Sequence, residues 1–350
     1  MKEILKHEIL EFHPDTLIRV REACGLDAPG RMEEAVGLLR DWAAKQEHFL
    51  KKDFDPIFLE ALLLTCKGSV EKAKIRLDLM CTMRTFAPEL FVKIHVKKDF
   101  PQFHKVCKAL VVPKMTEDHY RLGILKITGC YPTLFQDLFQ WVVIMNEYLK
   151  FHDYSIGHIC LVDLREANIF DLVTKLNPIE LRNTFTLITK GYGTRIKSIN
   201  FLTPSKTVEA IVSLFKQVLS PKITSRIEVH KNIEEIYERV PKYMLPKDFG
   251  GDDISLDKIH DAWMEVHSSE EYIMHLKEMQ KAGRTNRAGA LRSTTPCSEC
   301  PAPSGHSTSI SLFSSFKTGL KYYRKSNNSF ICSNLYSLFD CLTNQGRRIF

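Results

Sequence analysis

Between residues 120 and 230, short apolar runs alternate with longer helical stretches, and this alternation limits the fold more than any other feature of the chain. The runs 122–128 (LGILKIT), 156–164 (IGHICLVDL), 196–202 (IKSINFL) and 226–230 (RIEVH) read as strands. Residues 134–149, 178–189 and 204–219 read as the helices between them, the last two opening at Pro178 and Pro204. Strand–helix alternation of this kind predicts βαβ units and a mostly parallel sheet flanked by helices. The run 156–164 is nearly continuous in apolar residues, as expected of a strand covered on both faces.

The first hundred residues read differently. Residues 33–42 and 70–83 place apolar side chains three and four apart with charges on the other faces, which predicts helices. Pro88 marks a stop, and 97–113 carries loop signals. Residues 257–280 predict one more amphipathic helix. Beyond Gly283 the texture turns to Ser, Thr, Pro, Gly and Asn with little periodicity, which reads as a largely disordered tail. The expected division is 1–95 helical module, 96–255 α/β domain, 256–283 C-terminal helix and 284–350 tail.

Charge distribution narrows the function. The formal net charge is +7, but residues 284–350 hold nine Lys/Arg against two Asp/Glu, which accounts for the whole excess. The preceding part is balanced, so nucleic acid is not an expected partner. Residues 1–6 alternate charged and apolar side chains and lack the ~7–15-residue apolar core of a secretory signal. No apolar run approaches the ~18 residues of a spanning helix. With ten scattered cysteines read as reduced thiols, a cytoplasmic chain is expected.

Catalytic signatures are missing. Gly191 and Gly193 form no phosphate cradle, and no G-x-S-x-G or H-E-x-x-H motif occurs. His152, Asp153, Ser155 and His158 include triad residue types but read as a polar connector, and Asp163 at a strand's carboxyl end reads as structural. Cys297-x-x-Cys300 with His306 lacks the second pair that a structural zinc site needs. No enzyme, cofactor or metal is expected.

The helix at 204–219 carries more information. Val208, Ile211, Val212, Phe215, Val218 and Leu219 form a continuous apolar stripe. Arg195 and Lys197 precede it, and Lys222 and Arg226 follow. An amphipathic helix bracketed by cations suits an anionic membrane surface.

Residues 220–230 (SPKITSRIEVH), followed by 245–251 (LPKDFGG), resemble the C-terminal half of a CRAL-TRIO domain, with its K-x-x-x-R-I-x-x-H run and L-P-x-x-[YF]-G-G motif. The stretch 156–164 resembles the family's G-x-x-x-I-x-D-L strand. The stretch from Gly68 to Lys74, continued through Met83 to Thr85, resembles the family's helical N-terminal module as seen in insect relatives of the tocopherol and retinaldehyde carriers. The resemblance covers about residues 30–285.

It implies an α/β fold whose sheet floors a lipid cavity within residues 120–251, closed by a gate helix at 204–219. Val208, Ile211 and Phe215 of the gate would face the ligand. Leu187, Ile188, Tyr192, Ile199 and Phe201 would line the wall, with Gln140 and Ile144 on the long helix. Arg195, Lys197, Lys222 and Arg226 correspond to a basic cleft that holds phosphoinositide headgroups in tocopherol-carrier relatives. The implied function is transfer of a small hydrophobic lipid, retinoid-like or tocopherol-like, between membranes by a monomer. The competing reading is a phosphoinositide-binding membrane adaptor with a vestigial pocket. Two departures stand out: the family's F-L-R-A-R-like stretch is Leu62 to Lys67 here (LLLTCK), and Glu166 stands near the glycine of D-L-x-G.

Overall fold

The computed structural model describes residues 7–285. Four helices come first: α1 (Thr16–Glu22), α2 (Arg31–Ala44), α3 (Pro56–Thr65) and α4 (Val70–Phe86). Side-chain caps fix two of their starts. Asp55 accepts a hydrogen bond from the Ile57 amide ahead of Pro56, and Ser69 accepts one from Lys72.

Five strands then form one sheet in the order β1-β2-β3-β4-β5. They are β1 (Cys107–Met115), β2 (Tyr120–Ile127), β3 (Gly157–Asp163), β4 (Ile196–Leu202) and β5 (Ile227–His230). β1 pairs antiparallel with β2, and every other pair is parallel. The sheet is therefore mostly parallel, as the alternation predicts. Its antiparallel first strand lies in the segment read as a loop. After helical turns at Val96–Asp99 and Phe103–Val106, residues 107–115 enter the sheet at its edge. An edge position tolerates Pro113, which can donate no ladder hydrogen bond and falls where the β1–β2 register breaks. The open edge is covered: the Trp141 and Trp263 indoles donate to the carbonyls of Ala109 and Val111 at 2.6 and 2.7 Å.

The connecting helices are α5 (Leu134–His152), α6 (Ile169–Lys175), α7 (Pro178–Thr186) and α8 (Val208–Val218). A wide π turn at Leu187–Gly191 joins α7 to the approach of β4. The gate-like helix begins at Val208 rather than at residue 204. The Thr203 and Ser205 hydroxyls accept hydrogen bonds from the amides of Ser205 and Thr207, and this local bonding competes with a helical first turn. Residues 256–280 form two helices instead of one, α9 (Leu256–His267) and α10 (Glu270–Gln280). The break falls where Ser269 caps α10 by accepting from the Tyr272 amide.

Two apolar cores result. One surrounds the sheet, α5 and α9, while the other joins α2, α3 and α4 to Phe139, Val143, Leu187 and Tyr192. Arg84 on α4 and Glu147 on α5 tie the helical module to the sheet region with an ion pair whose side chains are 2% and 3% exposed. The LPKDFGG motif is a backbone device. Gly250 has φ +69°, and any side chain on Gly251 would collide with the Leu245 carbonyl. The tail from residue 286, with Cys297, Cys300 and His306, lies outside the described residues.

Candidate functional site

A closed pattern of alternation in β3 leads to the site. Ile159, Leu161 and Asp163 are fully buried on one face, while His158, Cys160 and Val162 on the other are only partly covered. Those three line an internal cavity of about 250 Å³. The run 156–164 is thus apolar on both faces because one packs in the core and the other forms a cavity wall.

Residues of β1 to β4 form one side of this cavity, from Ala109 and Val111 to Ile199 and Phe201. α5 contributes Leu138, Val142, Met145 and Leu149, a single stripe along the helix. Leu172 of α6 and Leu181 and Phe185 of α7 close the far side. α8 lies across it through Ile211 and Phe215. The Phe215 ring meets Phe185 and Phe201 edge-on at 5.7 Å each. Only Val208 and Ile211 of α8 are fully buried, so this helix is the most lightly held element of the wall.

Four polar side chains interrupt the apolar surface: Asn146, His158, Thr184 and Thr194. Asn146 and Thr194 satisfy each other, the threonine hydroxyl donating to Asn146 Oδ1 at 3.0 Å. Both ring nitrogens of His158 and the Thr184 hydroxyl have no hydrogen-bond partner. Burial pushes His158 down to about 4, with Lys150 and Arg121 lowering it further against the opposing pull of Asp153. His158 is therefore a neutral imidazole with one donor and one acceptor unused.

A second, smaller cavity of about 50 Å³ adjoins the first and shares Asn146, Leu149, His158 and Thr194 with it. Its wall includes Lys150, Asp153 and Arg195.

Of the ten ligand-facing positions expected from the sequence, Ile188, Ile199, Phe201, Ile211 and Phe215 lie on the cavity wall. The other five lie elsewhere. Val208 is buried at the start of α8, off the wall. Gln140 faces away and accepts a hydrogen bond from the Lys93 amide at 3.2 Å. Ile144 packs toward α10, its carbonyl accepting from the Tyr272 hydroxyl. Leu187 sits in the helical core. The Tyr192 hydroxyl donates to Glu147 beside Arg84, and burial next to that carboxylate holds the phenol well above its usual range. The lining also begins upstream of residue 120, in β1, and ends at Phe215. Asn146, His158 and Thr184 were not anticipated; a histidine inside the apolar run IGHICLVDL was the available signal.

None of the four expected basic residues lines the large cavity. Arg195 borders the small one. Lys197 is exposed, 4.3 Å from the Tyr120 ring centroid and 3.9 Å from Asp118. Lys222 is exposed on the turn Pro221–Thr224, and the Arg226 guanidinium donates to the Ile196 carbonyl. Arg195, Lys197 and Arg226 thus cluster at the amino ends of β4 and β5.

The remaining polar groups are structural in arrangement. Asp163 receives both ends of the Arg165 guanidinium at 2.8 and 2.9 Å. Asp153 is paired with Arg121, and His152 stacks on Tyr148 at 4.2 Å. Among the described residues no group of three or more His, Cys, Asp or Glu could hold a metal, and no helix is long and apolar enough to cross a membrane.

Comparison with known proteins agrees with this architecture. Residues 105–251 match the CRAL/TRIO domain family. Through those residues the chain is similar to the CRAL/TRIO family. The CRAL/TRIO match runs from just before β1 through the LPKDFGG motif, so it contains the sheet and every cavity-lining helix. Residues 28–99 match a Pinta-like UBA domain, covering α2 to α4 ahead of the CRAL/TRIO region. A mouse (Mus musculus) protein described as alpha-tocopherol transfer protein-like is 22% identical over 102 residues. That alignment spans 29% of this chain and 29% of the relative, so well under two thirds of the relative is represented. The crystal structure of Sfh5 aligns over 77% of this chain and 99% of its own, with a TM-score of 0.41 and 13% identity.

Proposed function

We propose that this chain binds a hydrophobic lipid in the 250 Å³ cavity and carries it between membranes, with α8 as the gate. The observation that carries the reading is the cavity itself. Cores pack to near-crystalline density, and voids of this size are few. A cavity close to the size of small-molecule sites, lined by aliphatic and aromatic side chains with a few polar groups, has the composition of a ligand pocket. The match of residues 105–251 to the CRAL/TRIO domain family and the limited likeness to a tocopherol-transfer-like protein support a lipid occupant.

The energetics favour transfer at a membrane over release into water. A ligand with about 15 buried methylene equivalents gains roughly 12 kcal/mol by leaving water. Its exit therefore requires a membrane and an open gate. α8 suits that role because its hold rests mainly on Val208, Ile211 and the Phe215 contacts. The cations at 195, 197, 222 and 226 would dock the molecule on an anionic surface, phosphoinositides included, at about 1 kcal/mol each. Such docking is reversible, as a carrier needs.

Native mass spectrometry of the purified chain tests the reading. A co-purifying or readily loaded apolar molecule is the expected outcome, and a chain that takes up none from lipid mixtures would leave the adaptor alternative standing.

A further inference from the structure

The small cavity beside the lipid site is lined by two cations, Lys150 and Arg195, against one carboxylate, Asp153. Lys150, on the last turn of α5, is 9% exposed and lines it, and its ammonium forms no hydrogen bond or ion pair among the described residues. Arg195 lines the same space, and its guanidinium pairs with no acid there either. Arg76 of α4 packs against Gly193 and Thr65, both on the cavity wall, and its buried Nη1 has no partner. Gly193 has φ +70°, and any side chain on it would strike that guanidinium. Asp153 is the one carboxylate on this wall; its Oδ1 pairs with Arg121 at 3.0 Å and its Oδ2 has no hydrogen-bond partner.

Lys150 and Arg195 thus line one small cavity with Arg76 beside it, and none of the three forms an ion pair among the described side chains. A buried charge left without a partner costs several kcal/mol, so such a group calls for a ligand. Burial pushes Lys150 down to about 7, with Arg76 and Arg195 also lowering it and Asp153 opposing, and burial lowers Arg76. Both shifts come first from burial, and Arg195 lowers each of them further.

The position of this charge matters because the two cavities are neighbours. Asn146, Leu149, His158 and Thr194 belong to both walls and form the boundary between them. At about 50 Å³ the small cavity holds a compact group and excludes a sugar or choline head. Resting on the lipid-carrier reading above, we propose that the occupant is a single-chain amphiphile. Its tail fills the apolar cavity, and a single oxyanion, carboxylate or phosphate monoester, reaches past His158 to Lys150 and Arg195, with Arg76 beside them. The imidazole of His158 and the free Thr184 hydroxyl then serve the first polar atoms next to the head.

Fluorescence titration of the full chain with cis-parinaric acid and with its methyl ester separates the possibilities. The acid is expected to bind about tenfold or more tightly than the ester, the scale of a charge-assisted hydrogen bond. Lys150→Met is expected to reduce the acid to the ester's affinity and to leave the ester unchanged. Arg76→Gln gives the same comparison should Lys150→Met fail to fold. Displacement by oleate and by oleoyl lysophosphatidate distinguishes a carboxylate head from a phosphate. Equal binding of acid and ester to the parent chain overturns the charged head while the lipid reading stands, as does an acid preference that survives both substitutions. Binding of neither probe overturns both.

Discussion

Glu147 shows what a single buried charge does in this molecule. Its carboxylate, nearly inaccessible in the middle of α5, receives the Arg84 guanidinium and the Tyr192 hydroxyl. Two charges out of water gain little net stability together, but either one alone is strongly unfavourable. Glu147→Ala should therefore cost about 3–5 kcal/mol, read as a lower urea midpoint. Replacing Arg84 and Glu147 together by Met and Leu should recover most of that loss. A single-variant loss below about 1 kcal/mol would mean that the pair is not buried in solution. The sequence offered no hint of this partnership, because 63 residues separate the two and neither lies in a motif. The choice between Gln140 and His158 as the polar group of the pocket was equally hidden. Gln140 is set by helical phase, since the cavity stripe of α5 runs through Leu138, Val142, Met145 and Leu149 and leaves it on another face. The strand alternation that turns His158 inward was readable, but the existence of a cavity on that side was not.

At the scale of elements, α9 and α10 close the molecule with a chain of buried histidines. His260 touches His104 and Trp141, while His267 packs among Trp141, Tyr148, Trp263 and Tyr272. Burial pushes His260 down to about 4 and His267 to about 3. Lys108 and His104 also lower His260 against Asp257, and His152 and His260 lower His267. Both imidazoles are neutral in the folded chain and ordinary in the unfolded one. Above pH 6.5 they leave stability unaffected. As pH falls from 6.5 toward 4 the unfolded chain binds protons that the folded chain refuses, and stability is lost. Together they should remove about 2–3 kcal/mol between pH 7.5 and 5.5, at ~1.4 kcal/mol per unit for each group. The measurement is the urea midpoint at both pH values, and a double His260→Phe, His267→Phe variant should show a smaller drop than the parent. Element types were largely legible from periodicity and strand alternation. The exceptions have physical causes. β1 was masked by Pro113, which an edge strand tolerates, and the break between α9 and α10 needed only one capping serine inside an unbroken apolar pattern.

At the scale of the whole molecule, three of the four surface cations collect at the amino ends of β4 and β5 although they come from segments separated by α8. Parallel strands joined by a helix bring their like ends together, and that topology makes a basic rim from two short sequence segments. Changing Arg195, Lys197, Lys222 and Arg226 to Ala should abolish most flotation with phosphoinositide-containing vesicles while leaving far-ultraviolet circular dichroism intact. Added salt should weaken the parent's binding in the same direction, because exposed charges are screened over about 8 Å at physiological ionic strength. An unchanged bound fraction would remove these residues from any docking surface.

Local pattern by itself determined the parallel α/β core, the helical module before it, the amphipathic α8 and the motifs that mark the family, since periodicity and turn chemistry act between near neighbours. Of the ten wall residues that the family resemblance implied, five lie on the cavity. Tertiary structure alone decided where space was left unfilled, which polar atoms went without partners, and that Lys150 and Arg195 share one small cavity with Arg76 packed beside it. Those properties depend on side chains from α4, α5 and the approach to β4 meeting across more than a hundred residues of chain, and no spacing rule reaches that far.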